Sequence, residues 1–130
     1  MTVLTVTTER AVQALDVTGL VREGLSGTGI YLVSCPHTTA ALLLMENDED
    51  LLRDLERVAA QAGQGFGPLS HHKNNNPNGA AHLTSAALGT QVLLPVEDSA
   101  PALGAYQRIV FLELDGPRER RVEVRRLNGP

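Results

Sequence analysis

The chain has 130 residues, of which 42% are apolar and 20% charged, and its formal net charge is −4 at pH 7. This length and composition predict one globular domain, residues 1–130, with a core of its own, and they argue against wholesale disorder. The acidic balance argues against nucleic-acid binding as the main function, because a phosphate backbone is bound by a basic surface.

The cysteine content and the first residues indicate the compartment. The single cysteine, Cys35, excludes an internal disulfide framework and fits a reducing environment. Residues 1–5 show no basic segment followed by an apolar core, so no signal peptide is predicted. No apolar run reaches the length of a transmembrane helix. We therefore expect a soluble cytoplasmic protein that binds neither membrane nor nucleic acid.

The first third of the chain predicts mainly strands. Three segments rich in β-branched or apolar residues are expected to be extended: 2–8, 11–17 and 30–33. Between the second and the third, Thr18 is predicted to cap a short helix over residues 19–24. The third segment is expected to be a buried strand that delivers Cys35 and His37 at its end.

The middle of the chain predicts one long helix. Asn47 or Asp48 is placed to cap it, and apolar residues then recur at helical spacing: Leu51, Leu52, Leu55, Val58 and Ala59. The preceding apolar run, 40–45, could be either a strand or a helix. Glu46 and Asp54 would share a helix face, about two turns apart, if both lay on one helix. The other carboxylates are interpreted as helix-surface charges: Asp48, Glu49, Asp50 and Glu56.

The last part of the chain predicts a functional loop, a helix and three strands. A polar loop over 63–79 is long enough to be either functional or disordered, and its histidines favour function. A short helix is predicted over 80–88, with Gly89 as its C-terminal cap. A strand is predicted at 92–96 and is expected to be stopped by its proline. Two further strands are predicted at 108–114 and 121–127. The Asp-Gly-Pro turn between the last two predicts a hairpin. Strands mixed with segregated helices indicate an α+β fold.

The four histidines carry most of the chemistry. They lie in two polar clusters, Cys35-Pro36-His37-Thr38-Thr39 and His71-His72 with Asn78 and His82. Clusters of this kind can converge in a fold into a metal site or an acid/base site. The structural alternatives are a histidine bonded to a neighbouring threonine for His37, a small buried residue for Cys35, a solvated loop for His71 and His72, and a satisfied core group for His82.

Four blocks, in order and at matching spacing from about residue 28 onwards, resemble the YjbQ family, whose members are described as secondary thiamine-phosphate synthases. The blocks are Cys35-Pro36-His37-Thr38-Thr39-Ala40-Ala41 with Glu46-Asn47, His72 with Asn78-x-x-x-His82-Leu83, Leu103-Gly104-x-Tyr106-Gln107, and Glu113-Leu114-Asp115-Gly116-Pro117-Arg118-x-Arg120. The resemblance implies an α+β fold built on a β-sandwich of antiparallel or mixed sheets with two to three short helices. It also implies a homotrimer with a polar cleft at or near the subunit interfaces. The positions that depart from the family pattern are Met45, Ser70, Asp98 to Pro101, and Tyr106.

Carried over position by position, the resemblance implies the residues of that cleft. The implied catalytic residues are His37, Glu46, Asp54, His82 and Arg118. The implied substrate-binding residues are Cys35, Thr38, Thr39, Asn78, Asp115 and Gly116. The suspected cofactor is a divalent metal, Zn²⁺ or Mg²⁺, and its implied ligands are His37, His72 and His82.

The implied reaction joins a pyrimidine methyl pyrophosphate to a thiazole phosphate, and the leaving pyrophosphate needs positive charge around it. Glu46 and Asp54 could hold a hard cation such as Mg²⁺, and Arg118 could clamp a phosphate group. Three histidines suit Zn²⁺ or another transition metal instead, which favours metal-assisted hydrolysis or another reaction of a small phosphorylated substrate. The rival prediction is a non-catalytic trimeric module that binds a metal or a small anion.

Overall fold

The computed structural model describes residues 1–71 and 77–127, which form eight strands and three helices. In chain order these are β1 (Thr2–Thr7), β2 (Gln13–Asp16), α1 (Thr18–Arg22), β3 (Gly29–Ser34), β4 (Ala40–Glu46), α2 (Glu49–Gly65), α3 (Gly79–Leu88), β5 (Gln91–Glu97), β6 (Ala100–Pro101), β7 (Gln107–Glu113) and β8 (Glu119–Arg126). No helix in this part of the chain is long and apolar enough to cross a membrane. His72 lies outside the described residues.

The strands form two antiparallel sheets that pack against each other. The larger sheet has the order β1-β8-β3-β5-β6, and the smaller one has the order β2-β7-β4. Apolar side chains of both sheets share one core, among them Leu4 and Val122 from the larger sheet and Leu42 and Phe111 from the smaller. The predicted α+β fold built on a β-sandwich is therefore confirmed.

Helices α2 and α3 cover the other face of the smaller sheet, whereas Val21 of α1 belongs to the core between the sheets. Leu52 of α2 packs with Val110 and Leu112 of β7 in a second apolar cluster. The alternate residues of β7, Ile109 and Phe111, belong to the core between the sheets. Since β7 is buried on both faces, its sequence is a continuous apolar run without alternation.

The strands of the larger sheet alternate between buried and exposed residues. In β3, Tyr31 and Val33 are buried, whereas Ile30 is 41% exposed on the outer face of the sheet. The predicted strand at 30–33 therefore forms, but it is buried on one face only. The outer face is also apolar here, because Ile30 and Leu32 lie beside Pro95 and Leu93 of β5.

The long helix forms as predicted at its start and extends further at its end. The Asp48 carboxylate accepts a hydrogen bond from the Leu51 N–H at 2.9 Å, which is the geometry of an N-terminal cap. The helix continues to Gly65, so the loop begins later than the predicted residue 63. Val58, expected on its apolar face, is 57% exposed.

The preceding apolar run is the strand β4, and Glu46 is its last residue. Glu46 and Asp54 therefore lie on different elements, so the arrangement in which they share one helix face does not occur. The sequence of 40–45 did not distinguish a strand from a helix. The reason is that the start of β4 is buried on both faces, so apolar and polar residues do not alternate there.

Two local predictions in the sheets and helices are wrong. The Thr18 hydroxyl does not cap α1 and instead accepts a hydrogen bond from the Ile109 N–H of β7, at 2.8 Å. Pro95 lies inside β5 and does not end it. Its carbonyl faces β6 and accepts from the Ala102 N–H at 2.8 Å, so its missing N–H faces the same side and removes no bond to β3.

The predicted hairpin of the last two strands is also wrong, because β7 and β8 belong to different sheets. The Asp-Gly-Pro segment carries the chain from one layer of the sandwich to the other. Gly116 lies at the crossing, where an added Cβ would be 2.4 Å from the Arg10 carbonyl oxygen. The hairpin that does form joins β5 and β6 through Asp98 and Ser99, both with positive φ.

Candidate functional site

The two predicted histidine clusters meet at one end of the sheets. His37, in the loop between β3 and β4, and His82, on α3, line a cleft of about 370 Å³. Thr38 lies on the same wall as His37, and Ser85 and Thr90 lie on the side of α3. The convergence of the loop and the helix is what the sequence predicted.

Hydrogen bonds between α3 and β4 place His82 beside the loop. The Ser85 hydroxyl donates to the Ala40 carbonyl at 2.6 Å, and the Leu42 N–H donates to the Gly89 carbonyl at 3.1 Å. Gly89 ends the helix with a φ of +96°, a conformation that favours glycine. The predicted C-terminal cap is therefore confirmed, and it fixes the helix against the strand that follows His37.

The imidazole of His37 is held by the backbone of β8. Its Nε2 atom accepts a hydrogen bond from the Arg121 N–H at 2.9 Å, so the neutral ring carries its proton on Nδ1. Its partner is thus a strand of the larger sheet, and not the hydroxyl of Thr38 or Thr39. Partial burial lowers the pKa of His37, and the charges of Arg120 and Arg121 lower it further. The ring is therefore neutral at pH 7.

His82 stands between two clefts. Its ring meets the ring of His71 edge to face, with 4.9 Å between the ring centroids and 79° between the planes. On that side it borders a second cleft of about 340 Å³, which Leu69 and Leu83 also line. His71, interpreted from the sequence as a probable loop residue, is thus in contact with a histidine of the first cleft.

A polar group next to the cleft joins three of the residues that the resemblance implied. The Asp115 carboxylate accepts from the Asn78 amide at 2.9 Å and from the Arg118 guanidinium at 2.8 Å. Arg118 also donates from Nε to the Asp115 carbonyl at 2.7 Å. Asp115 therefore fixes the orientation of Arg118 and ties the start of α3 to the segment that crosses between the sheets.

A buried ion pair behind the cleft was missed by sequence reasoning. Glu113 is 0% exposed and Arg120 is 4% exposed, and Arg120 Nε donates to Glu113 Oε1 at 2.8 Å. Burial acts to raise the pKa of Glu113, but hydrogen bonds from Arg120, the Asp115 N–H and Thr8 outweigh it and hold the pKa below its usual value. Both residues lie in the closing family block, and that placement was the available signal.

Thr39 and Cys35 face the interior. The hydroxyl of Thr39 accepts from Arg120 at 2.9 Å, and Thr39 is only 6% exposed. Cys35 is 3% exposed and belongs to the core between the sheets. Burial raises the pKa of the Cys35 thiol to about 11, so this thiol stays protonated at pH 7 and behaves as a small core residue.

The two predicted catalytic carboxylates lie away from the histidines of the same chain. Glu46 is exposed at the far end of β4, about 20 Å from Ala40 at the rise of an extended strand. Asp54 is exposed on α2, where it pairs with Arg57 at 3.3 Å. One chain therefore brings His37, His82 and the Asp115 group together, but not Glu46 or Asp54.

The predicted metal ligands are described only in part. His37 and His82 line one cleft, and His72 lies outside the described residues. Within residues 1–71 and 77–127, no three side chains of His, Cys, Asp or Glu are grouped so that they could hold a metal ion together.

The fold and the cleft define a small α+β sandwich protein with a histidine-lined cleft at one end of its sheets. A family model described as "UPF0047 protein YjbQ-like" matches residues 2–129. The chain belongs to this YjbQ family, as the four sequence blocks indicated.

Individual relatives agree with the family model over nearly the whole chain. A "UPF0047 protein" of Archaeoglobus fulgidus is 41% identical over 129 residues, covering 95% of this chain and 98% of its own. The "UPF0047 protein YugU" of Bacillus subtilis is 35% identical and covers 90% of this chain and 91% of its own. The crystal structure of a hypothetical protein from Aeropyrum pernix K1 is 38% identical, with a TM-score of 0.89 over 98% of both chains.

Proposed function

We propose that the cleft between His37 and His82 binds the phosphate of a small phosphorylated molecule and that the protein is an enzyme acting on this molecule. The observation that carries the proposal is the convergence of two histidines from separate elements on one cleft beside a cluster of arginines. Besides burial, the charges of Arg120, Arg121 and Arg118 lower the pKa of His37, the charge of Glu113 acts in the opposite direction, and the net shift is downward. A positive field of this kind favours an anion.

The side chains of the cleft supply suitable donors. The Nδ1–H of His37 and the hydroxyls of Thr38, Ser85 and Thr90 can donate to phosphate oxygens. Arg118 is held in place by Asp115 and can add a charged donor at the rim. Because His37 is neutral, it binds the anion as an oriented dipole and keeps its proton at pH 7.

The reaction implied by the family resemblance is thiamine-phosphate synthesis, with the proviso that this activity is secondary. A carbon–oxygen bond of the pyrimidine methyl pyrophosphate breaks, a carbon–nitrogen bond to the thiazole forms, and pyrophosphate leaves. In this proposal His37, His82 and Arg118 stabilise the charge that develops on the leaving pyrophosphate. The same phosphate-binding groups would also support hydrolysis of the phosphorylated molecule or another transfer reaction.

A homotrimer would complete the site. Glu46 and Asp54 lie away from the histidines of their own chain, so in this proposal they enter the cleft of a neighbouring copy. There they could hold a hard cation such as Mg²⁺ beside the phosphate. The other metal that the resemblance implied is Zn²⁺ held by His37, His72 and His82, and it would require His37 to give up its hydrogen bond from the Arg121 N–H. Elemental analysis of the purified protein distinguishes the two metals.

The test compares His82→Ala with His71→Ala. Both variants remove one imidazole of the contacting pair, but only His82 lines the cleft with His37. We expect His82→Ala to weaken the binding of inorganic phosphate and pyrophosphate by about tenfold or more, and to abolish thiamine-phosphate formation. His71→Ala should keep phosphate affinity within about threefold.

Calorimetric titration with phosphate and a turnover assay with the two thiamine precursors give the readouts. Equal phosphate affinity in the wild type and His82→Ala would contradict the site. Phosphate binding that depends on His82, without turnover of the precursors or of simple phosphate esters, would favour the non-catalytic binding module.

A further inference from the structure

The ion pair of Glu113 and Arg120 lies directly behind the cleft, in the interior of the sandwich. Both side chains are almost completely buried, and Arg120 donates to both carboxylate oxygens of Glu113. The Thr8 hydroxyl donates to the same carboxylate at 2.8 Å. In the described part of the chain, every buried side-chain nitrogen and oxygen has a hydrogen-bond partner. The pair is thus a fully satisfied group within an otherwise apolar core.

Stability alone does not account for such a pair. Removing two charges from water costs free energy that their attraction often fails to recover, and apolar side chains of similar volume are commonly as stable or more stable. A buried ion pair can instead specify one geometry, because its hydrogen bonds are directional and their loss is costly. The geometry that this pair specifies is that of the residues bonded to it.

On one side, Arg120 holds the histidine loop. Its Nη2 atom donates to the Thr39 hydroxyl at 2.9 Å and to the Thr39 carbonyl at 3.1 Å. The next residue of β8, Arg121, donates its backbone N–H to the imidazole of His37. Consecutive residues of one strand therefore fix both ends of the segment His37-Thr38-Thr39, whose middle residue lines the cleft.

On the other side, Glu113 holds the segment that crosses between the sheets. Its Oε2 atom accepts from the Asp115 N–H at 3.0 Å, and Asp115 orients Arg118 and Asn78. Thr8 continues this link, because its hydroxyl accepts from the Arg118 N–H at 2.9 Å. The carboxylate therefore sets the position of the segment that carries Arg118, whose charge acts on His37 of the cleft.

We propose that Glu113 and Arg120 are a positioning pair that fixes the His37–Thr39 loop relative to the Asp115–Arg118 segment. The inference rests on the proposed function in one respect, that the loop lines a phosphate-binding cleft to which Arg118 adds positive charge. The fork of the guanidinium is essential, because one side chain has to serve the carboxylate and Thr39 in the same plane. A lysine at this position would keep the charge and lose that geometry.

The experiment compares Glu113→Gln and Arg120→Lys with Glu56→Gln. Glu56 is the matched control, since it is a second buried glutamate, 6% exposed and bonded to Arg10 and Arg53, on the helix α2. Nitrogen-15 NMR of the imidazole side chains reports the tautomer of His37 directly. Thermal unfolding measures the change in stability, and titration with inorganic phosphate measures the phosphate affinity of the cleft.

In the wild type we expect the Nδ1–H tautomer of His37 to dominate. In Glu113→Gln and Arg120→Lys the loop should lose its fixed position, so the ring should become a mixture of tautomers and phosphate affinity should fall by about tenfold or more. Glu56→Gln should lower the melting temperature comparably and leave both readouts unchanged.

His37 resonances in both site variants that match the wild type would overturn the positioning role. If neither variant folds, Thr8→Val is the deciding variant, because it removes only the hydroxyl between Glu113 and the Arg118 N–H. A change in phosphate affinity and in the His37 signals would support the positioning role. Unchanged values would overturn it. If the wild type binds no phosphate, the proposed function fails. The His37 tautomer then still tests the positioning pair by itself.

Discussion

At the scale of single residues, Glu56 and Glu113 are two buried glutamates that each accept hydrogen bonds from an arginine and from a backbone N–H. Glu56 and Glu113 have the same sequence signature as surface glutamates, and Glu56 was interpreted as a helix-surface charge. Glu56 is instead 6% exposed. Its carboxylate binds Arg53 on the same helix and also Arg10, which precedes it by 46 positions. The distant partner leaves no local pattern, so only the fold identifies these carboxylates as buried. The presence of His37 and His82 in one cleft could be anticipated, because polar residues follow or interrupt apolar segments at these positions.

Gly116 gives a prediction at this scale. A Cβ at this position would lie 2.4 Å from the Arg10 carbonyl oxygen and 2.9 Å from the Thr8 hydroxyl. Because backbone and a buried hydroxyl are in the way, the segment has to move, and we expect Gly116→Ala to cost about 2 kcal/mol or more in the free energy of unfolding. Urea denaturation measures this change.

The control for Gly116 is Gly19→Ala in α1, where no atom lies within 4 Å of the added Cβ. This substitution should be neutral, or stabilising by up to about 1 kcal/mol, because alanine favours the helical backbone. Equal effects of the two substitutions would show that the crowding at the sheet crossing is absent.

At the scale of the elements, local signals predicted what depends on local structure. The helix α2 was predicted from its cap and its apolar spacing, and α3 from its glycine cap. The prediction of strand pairing was wrong where the pairing depends on long-range structure. The Asp-Gly-Pro turn is compatible with a hairpin and with a crossing between sheets, and the choice is made by β1 and β3, which pair with β8. The separation of Glu46 and Asp54 could not be predicted either, because the sequence did not decide whether the segment that ends at Glu46 is a strand or a helix.

Glu56 gives a prediction for the attachment of α2. Its carboxylate accepts from Arg10 at 2.8 Å, from Arg53 at 2.8 Å and from the Ala14 N–H at 2.8 Å, which ties the helix to β2. Burial acts to raise the pKa of Glu56, but these hydrogen bonds outweigh it and lower the pKa to about 2 from 4.5. A depressed carboxylate pKa stabilises the fold above the unfolded value and loses that contribution as the pH falls.

We therefore expect Glu56→Gln to cost about 2 kcal/mol at neutral pH, and the difference from the wild type to shrink as the pH falls from 4.5 to about 2. Denaturant unfolding over this pH range measures both curves. Glu97→Gln, an exposed change in β5, is the control and should stay close to the wild type throughout. A gap that does not change with pH would contradict the role of the charge.

At the scale of the whole molecule, one chain contains only part of the proposed cleft. The family resemblance implied Glu46 and Asp54 beside the histidines, and a single chain keeps them apart. In the proposed homotrimer the far end of β4 in one copy would reach the histidine loop of the next, which would account for this separation. This arrangement was implied by the resemblance and could not be derived from composition or spacing.

The proposed homotrimer can be tested by its mass and by mixing variants. Sedimentation or light scattering should give a mass three times that of the 13.9 kDa chain. In mixed oligomers of His82→Ala and Glu46→Gln, some clefts would combine an intact histidine from one copy with an intact carboxylate from another, so turnover should exceed that of either variant alone. A monomeric mass, or mixtures no more active than the variants, would contradict a shared site.

The double burial of β7 also has a consequence for how the chain folds during synthesis. Neither apolar cluster is complete without β7, which supplies Phe111 to one and Val110 to the other. Its partners β2 and β4 are synthesised earlier, with α2, α3 and β5 in between. The nascent chain therefore emerges from the ribosome with both partner strands exposed, and it can close its interior only when β7 follows. Until β7 is made, the growing polypeptide therefore exposes apolar surface that favours aggregation.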